Sequence, residues 1–156
     1  MKKSYEFELS GVACLRDALR TGLIGVAADP EEHIGLTTVW CRLVQDVLLK
    51  IQSQMTTTNG WNEVGSLVFE LNPNDDSPPN IAPLPEQWRN VSFVDKLVIE
   101  ESDFTAESGL RIENADGESF TIVCSANPYQ LAVEAPFCLG GFLPEYEIER
   151  YKRVPM

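Results

Sequence analysis

Apolar and polar residues alternate with different periods in the two halves of this chain. Residues 5–9, YEFEL, change from apolar to charged at every position, which predicts a half-buried strand. Ser10 is a suitable N-cap for a short helix that would bury Leu15 and Leu19 and end at Gly22. The chain is therefore predicted to begin with one strand and one short helix.

A long amphipathic helix is predicted next. Asp29 is a suitable N-cap, Pro30 suits the first helical position, and Glu32 completes a capping box. Apolar residues then recur at helical spacing along one face, as on the buried side of a surface helix: Leu36, Trp40, Leu43, Val44, Val47, Leu48, Ile51 and Met55. The threonines before Gly60 predict the end of this helix.

The period changes to two beyond residue 60. Residues 66–71, SLVFEL, are typical of a strand, and residues 73–90 then hold five of the ten prolines. Proline cannot donate to a sheet ladder, so residues 73–90 are predicted to form a long surface loop. Further strands, separated by turn residues, are predicted at 91–101, 109–114, 118–124, 130–135 and 146–151.

The order of these elements, helices first and strands afterwards, indicates the α+β class. We expect an N-terminal strand and helices packed on a curved antiparallel sheet or partial barrel. The 156 residues suit a single domain, 1–156, in which 1–60 is mainly helical and 91–153 forms the antiparallel sheet. No stretch has the roughly 18–20 apolar residues of a membrane-spanning helix, and no signal peptide is evident, so a cytoplasmic protein is expected.

The net charge of −12 is unevenly distributed. Residues 1–60 carry six Lys or Arg and seven Asp or Glu, whereas residues 61–156 carry six and seventeen. The densest part, residues 95–118, has eight acidic residues against two basic ones. Such a surface would repel nucleic acid and attract a basic protein. Simple solubility is the alternative interpretation of the same charge.

The most ordered polar cluster lies in residues 109–123, GLRIENADGESFTIV. A calcium loop with Gly117 at its sixth position would have Ile112 and Val123 at two essential ligand positions, so that interpretation fails. Asp116 and Glu118 have no companion base that would make them a catalytic pair. Asp116-Gly117 is instead typical of a tight turn, and the cluster predicts the corner of a hairpin.

Little else in the sequence points to chemistry. The chain has four cysteines without a Cys-x-x-Cys pair and a single histidine, so a zinc site is not predicted and the thiols are expected to be buried and reduced. No phosphate loop, nucleophile elbow or zinc-protease motif is present. We therefore expect a protein that is not an enzyme and needs no cofactor or metal.

The candidate functional residues are surface residues. Two acidic clusters are predicted: one follows the strand that begins at residue 91, and the other projects from one face of the last strand. Trp88, in the proline-rich loop, is a candidate aromatic anchor. The acidic candidates are Glu100, Glu101, Asp103 and Glu107 in the first cluster and Glu145, Glu147 and Glu149 in the second.

The segments GLRIENADGESFTIVCSANPYQLAVEAPF and FLPEYEIERYKRVP, within residues 109–155, resemble bacterial immunity proteins of contact-dependent inhibition and other polymorphic toxin systems. The resemblance lies in a strand, an Asp-Gly turn, a second strand and a closing Pro-Glu-Tyr segment. It implies a protein that binds and neutralises a cognate toxin domain, often a basic nuclease. These families share no active-site motif, so no residue role is carried over.

On this basis we expect a monomer or weak dimer that binds a basic toxin domain and neither nucleic acid nor membrane. The alternative is a small-molecule-binding or housekeeping α+β domain, whose sheet and helix would enclose an apolar ligand. Trp40, Trp61 and Trp88 could line such a cavity.

Overall fold

The computed structural model describes residues 2–10, 15–31, 35–57, 63–74, 80–138 and 142–156. They form one α-helix, α1 (Leu15–Arg20), two 3-10 helices (Glu86–Arg89 and Ile148–Arg150) and twelve strands. The strands are β1 (Lys3–Tyr5), β2 (Glu8–Ser10), β3 (Leu23–Glu31), β4 (Gly35–Leu43), β5 (Leu48–Thr57), β6 (Glu63–Leu71), β7 (Ala82–Pro83), β8 (Val91–Glu100), β9 (Phe104–Asn114), β10 (Ser119–Cys124), β11 (Leu131–Glu134) and β12 (Lys152–Pro155). Among the described residues, no helix is long and apolar enough to cross a membrane.

The strands form two six-stranded sheets. Sheet A has the order β11-β10-β9-β8-β12, with β1 beside the first residues of β9, and sheet B has the order β2-β6-β5-β4-β3-β7. The pairs β1–β9 and β2–β6 are parallel, whereas the other pairs are antiparallel. The main core joins the two sheets, because buried residues of β5 and β6 share one cluster with those of β9 and β10. The molecule is a β-sandwich.

The predicted α+β class and the mainly helical character of residues 1–60 are therefore wrong. The segment predicted as the long helix forms β4 and β5, which pair antiparallel across a tight turn. Alternate residues of these strands are buried in the core, as the pairs Val39–Ile51 and Cys41–Leu49 show. The turn closes with a hydrogen bond from the Leu43 amide to the Val47 carbonyl, 2.8 Å long.

Apolar residues alternate with polar ones in each of the two strands, and the turn between the strands shifts this alternation. Together they happen to place apolar residues at helical spacing. The run of threonine, valine and tryptophan in β4 has high strand propensity, which is consistent with the observed structure. Asp29 and Pro30 lie in β3 at a register shift against β4 instead of capping a helix. Glu32 and Gly60, the other helix signals, lie outside the described residues.

Several local predictions are confirmed. The short helix exists as α1, with Leu15 and Leu19 buried, but Ser10, its predicted N-cap, lies in β2. The predicted strand 5–9 is divided between β1 and β2. Strands are present at four of the five predicted positions beyond residue 90, as β8 to β11. The proline-rich segment 73–90 contains the two-residue strand β7 and a 3-10 helix, while residues 75–79 lie outside the described part. The predicted strand 146–151 is wrong, since a 3-10 helix is found there and β12 follows it.

The first two strands tie the sheets together. β1 pairs with β9 of sheet A and β2 pairs with β6 of sheet B, only three residues further along the chain. Between them, the Phe7 amide donates a hydrogen bond of 2.7 Å to Glu107 Oε1, and the Phe7 ring packs edge-on against Phe69 at 4.9 Å between centroids. This crossing of the chain holds the two sheets together at one side of the sandwich.

Candidate protein-binding surface

The first predicted acidic cluster lies in the turn between β8 and β9. β8 ends at Glu100, and the turn closes with a hydrogen bond of 2.9 Å from the Glu101 amide to the Phe104 carbonyl. The Asp103 carbonyl accepts a hydrogen bond of 3.1 Å from the Lys3 amide, so β1 lies directly beside this turn. Three of the four predicted residues of the cluster are thus placed together at one end of sheet A.

The second predicted cluster has a different geometry from the one expected. An isolated bridge pairs Pro144 with Ser125, and the Glu145 amide donates a hydrogen bond of 2.9 Å to the Cys124 carbonyl. This pairing does not continue, and the backbone turns into the 3-10 helix Ile148–Arg150. Consequently Ile148 does not pack in the core and is 43% exposed. Glu147 and Glu149 remain exposed, whereas Glu145 is partly buried.

The fold brings these two segments together. Arg150 forms an ion pair with Glu101, and the Arg150 guanidinium lies 4.8 Å from the centroid of the Tyr146 ring. Burial raises the pKa of the Tyr146 hydroxyl, and the charges of Glu145, Glu101 and Asp103 raise this pKa further. Tyr146 therefore lies in the electric field of carboxylates from both segments. We call the surface formed by Glu100, Glu101, Asp103, Glu147 and Glu149 the acidic edge.

Basic side chains neutralise part of the acidic edge. Lys2 Nζ lies 3.0 Å from Glu100 Oε1, and this hydrogen bond and the charges of Lys2 and Lys152 lower the pKa of Glu100. Such exposed ion pairs contribute little to stability and exchange readily.

Three acidic side chains are not neutralised in this way. Within the described part of the chain, the carboxylates of Asp103, Glu147 and Glu149 make no hydrogen bond or ion pair. They are therefore available to a basic group from outside.

Glu107 and Trp88 are not part of the acidic edge. The side chain of Glu107 is 12% exposed; it forms an ion pair with Lys96 and accepts the hydrogen bond from the Phe7 amide. The cause is a register shift in the β8–β9 pair after Leu97, where β9 has one extra residue. This bulge turns the side chains that precede it in β9, including that of Glu107, to the opposite face of the sheet. Trp88 is 1% exposed, so it cannot act as a surface anchor. It packs edge-on against Phe120 and Phe137 in the core.

Glu145 belongs to the interior side of the second segment. Its carboxylate accepts a hydrogen bond of 3.1 Å from the Gly65 amide of β6. Burial raises the pKa of Glu145 to about 7, although the Gly65 hydrogen bond acts in the opposite direction. This hydrogen bond joins the 142–150 segment to sheet B. The Glu145 carboxylate therefore has a structural role and is not a group that binds a partner. The alternation of acidic residues in EYEIER does not distinguish Glu145 from Glu147, so the sequence offered no signal for this contact.

The described thiols do not form a reactive centre. Cys41, Cys124 and Cys138 are free, and Cys14 lies outside the described residues. Burial raises the pKa of the Cys41 and Cys124 thiols to about 12, which disfavours the nucleophilic thiolate. Among the described residues, no group of three or more His, Cys, Asp or Glu side chains could hold a metal ion.

The unpaired carboxylates of the acidic edge, exposed at Glu147 and Glu149 and half-buried at Asp103, are thus the clearest candidate for a functional surface in the described part of the molecule. No protein-family model, curated protein or solved structure matches this chain.

Proposed function

We propose that this protein is a cytosolic immunity protein that binds and neutralises a basic bacterial toxin domain through the acidic edge. The observation that carries the proposal is the meeting of two acidic segments, 100–103 and 147–149, beside the Glu101–Arg150 ion pair. The resemblance of residues 109–155 to immunity proteins supports the same function. In this role the protein needs no catalytic group and no cofactor.

The unpaired carboxylates would act first, by attracting the partner. The charges of Asp103, Glu147 and Glu149, together with a net charge of −12, favour the approach of a positively charged domain from a distance. Such complementarity mainly raises the association rate, and salt weakens it because the screening length is about 10 Å at 0.1 M. Salt-sensitive association is therefore the expected signature.

Tyr146 and Glu101 would act after contact. Tyr146 is half-buried and combines a large apolar ring with a hydroxyl, a combination enriched among residues that dominate binding energy. A lysine or arginine of the toxin could replace Arg150 as the partner of Glu101, since exposed ion pairs exchange at little cost. The proposed contact set therefore replaces Glu107, Glu145 and Trp88 with Tyr146.

The test compares two double charge reversals that change the net charge equally. Glu147→Lys with Glu149→Lys alters the acidic edge, and Glu86→Lys with Asp116→Lys alters exposed acids near the opposite end of β9. Each protein is produced together with the toxin domain encoded beside its gene, and growth of the host is measured. Association rates of the purified pairs are then measured by stopped-flow mixing at low and moderate salt.

We expect the first pair of substitutions to slow association by about tenfold or more at low salt and to reduce protection from the toxin. The second pair should change the association rate much less. Equal effects of the two pairs would show that only total charge matters and would contradict a defined acidic edge. If the neighbouring gene product is not toxic, or if the wild-type protein does not protect against it, the proposed function is wrong.

A further inference from the structure

An apolar cavity of about 220 Å³ lies between the two sheets, far along the sandwich from the β1–β2 crossing. Sheet B contributes Val26, Val39 and the two residues of β7, Ala82 and Pro83, to its wall, and sheet A contributes Val133 of β11. The remaining lining residues are Leu84, Phe137 and Cys138. Among the described residues, no acidic or basic side chain lines it, and neither Trp40 nor Trp88 does so, while Trp61 lies outside the described part of the chain.

The position of this cavity explains why it stays open. β7 has only two residues and β11 has four, so the sheets are narrow at the margin where these strands lie. Val39 and Val133 form a buried floor, whereas Ala82 and Pro83 are exposed at the mouth. Because the walls are apolar and the mouth is open to solvent, an apolar ligand that enters would remove apolar surface from water, which is favourable.

We propose that the cavity is a binding site for a neutral, bicyclic aromatic small molecule of the size of indole or naphthalene. The site lies outside the acidic edge, and the inference does not depend on the proposed toxin binding. An engineered cavity of about 150 Å³ binds benzene, so by proportion a cavity of 220 Å³ holds roughly nine non-hydrogen atoms. Burying an unpaired charge here would be costly, which excludes an ionised group inside the cavity.

Phe137 favours an aromatic ligand over an alkyl chain. Its ring packs edge-on against Phe120 at 5.0 Å and against Trp88 at 5.3 Å between centroids. A planar ligand in the cavity would contact the same ring and extend this aromatic cluster. Aromatic pairs in offset or edge-to-face arrangements gain more than their buried area alone provides.

The test uses 5-fluoroindole as the ligand and follows its fluorine NMR signal during titration with the whole protein. We expect saturable binding with a dissociation constant on the order of 1 mM or tighter, the range open to so small a ligand. Val133→Phe and Val26→Phe should each fill the cavity and weaken binding by about tenfold or more. Val68→Phe is the matched control, because Val68 is a half-buried valine of β6 that does not line the cavity.

A second measurement needs no substitution. Cys138 is half-buried in the cavity wall, so bound 5-fluoroindole should slow its alkylation by iodoacetamide, as measured by mass spectrometry of the Cys138 peptide. The proposal is wrong if the wild-type protein does not bind 5-fluoroindole saturably. It is also wrong if a folded Val133→Phe or Val26→Phe variant binds as tightly as wild type. If both variants fail to fold, unchanged alkylation of Cys138 in saturating ligand overturns it.

Discussion

The side chain of Glu145 reaches the backbone of β6 because residue 65 is glycine. A Cβ atom at Gly65 would lie 2.6 Å from Cys124 Cβ and 2.9 Å from the carboxylate oxygen of Glu145 that accepts the Gly65 hydrogen bond. Atoms at such distances must move apart, and one of them belongs to a buried core residue. The requirement for glycine here comes from close packing between the two sheets.

We therefore expect Gly65→Ala to lower the free energy of unfolding by about 2–3 kcal/mol, because it overpacks this contact. Gly117→Ala is a useful comparison. Gly117 has a φ of 82°, so alanine would be strained there, but nothing lies within 4 Å of its Cβ position. Its expected cost is about 1 kcal/mol. Urea denaturation of both variants tests the order, and a larger loss for Gly117→Ala would contradict the close contact at Gly65.

Glu145 should also make stability depend on pH. Its folded-state pKa, about 7, lies above the ordinary value of 4.5, so the folded protein holds this proton more tightly than the unfolded chain. The contribution is fully present below pH 4.5 and is lost as the pH rises through 7. The full shift corresponds to about 3 kcal/mol, and solvent screening at this partly exposed group reduces the expected loss to about 1 kcal/mol.

The measurement is urea denaturation of wild type and Glu145→Gln at several pH values. The glutamine can still accept the Gly65 hydrogen bond but does not titrate. Relative to this variant, wild type should lose stability as the pH rises from 4.5 to about 7. The neighbours Cys124, Tyr146 and Tyr151 do not titrate in this range, because burial raises the pKa of each of them further. A constant difference across the range would contradict a raised pKa for Glu145.

At the scale of elements, the β9–β10 hairpin confirms the prediction made from residues 109–123. The turn closes with a hydrogen bond of 3.1 Å from the Gly117 amide to the Asn114 carbonyl. Asn114, which is 1% exposed, stabilises the turn further, because its Oδ1 atom accepts hydrogen bonds from the Asp116 and Glu118 amides, both 3.0 Å long. One buried side chain thus satisfies two amides that the sheet ladder does not.

Asn114→Ala should leave these two amides without their partner and lower the free energy of unfolding by about 1–3 kcal/mol. Gln87→Ala is the control. The Gln87 side chain donates a hydrogen bond of 3.3 Å to the Glu118 carboxylate, which also accepts one from the Asn114 side-chain amide. This substitution removes the Gln87 bond and leaves the two turn amides paired with Asn114. Thermal denaturation of the two variants separates the effects. Equal melting temperatures would indicate that the Asn114 acceptor does not stabilise the turn.

The β9–β10 and β4–β5 hairpins differ in how far local sequence predicts them. The hairpin was predictable because its turn residues and its alternating strands are adjacent in the chain. The β4–β5 hairpin was missed because Asp46 adopts a φ of 59° without a neighbouring glycine, so no turn signal interrupted the apolar pattern. The acidic residues were identifiable, but the register shift in β9 and the break at Pro144 decided which of them remain exposed. Both depend on how one strand pairs with another, which the apolar and polar pattern of a single strand does not specify.

At the scale of the whole molecule, the two-sheet architecture has a direct spectroscopic consequence. Apart from α1 and the two 3-10 helices, the described elements are strands. The far-ultraviolet circular dichroism spectrum should therefore have the single minimum of a β-protein, without the double minimum of a protein with a long helix. A strong helical spectrum from purified, monomeric protein would contradict the sandwich and restore the α+β interpretation.

The two strands at the crossing between the sheets have a consequence for biosynthesis. Lys3 of β1 pairs with Phe104, and Glu8 of β2 pairs with Val68, so both pairings join residues far apart in the chain. Contacts of such high sequence separation fold slowly, because the loop must close before any pairing stabilises it. During translation, β6 therefore leaves the ribosome before either sheet can be completed. β2 precedes β6 in the chain and can pair with it at that stage, but the apolar face that sheet B packs against sheet A is still uncovered. The danger of aggregation is therefore greatest before β9 is synthesised.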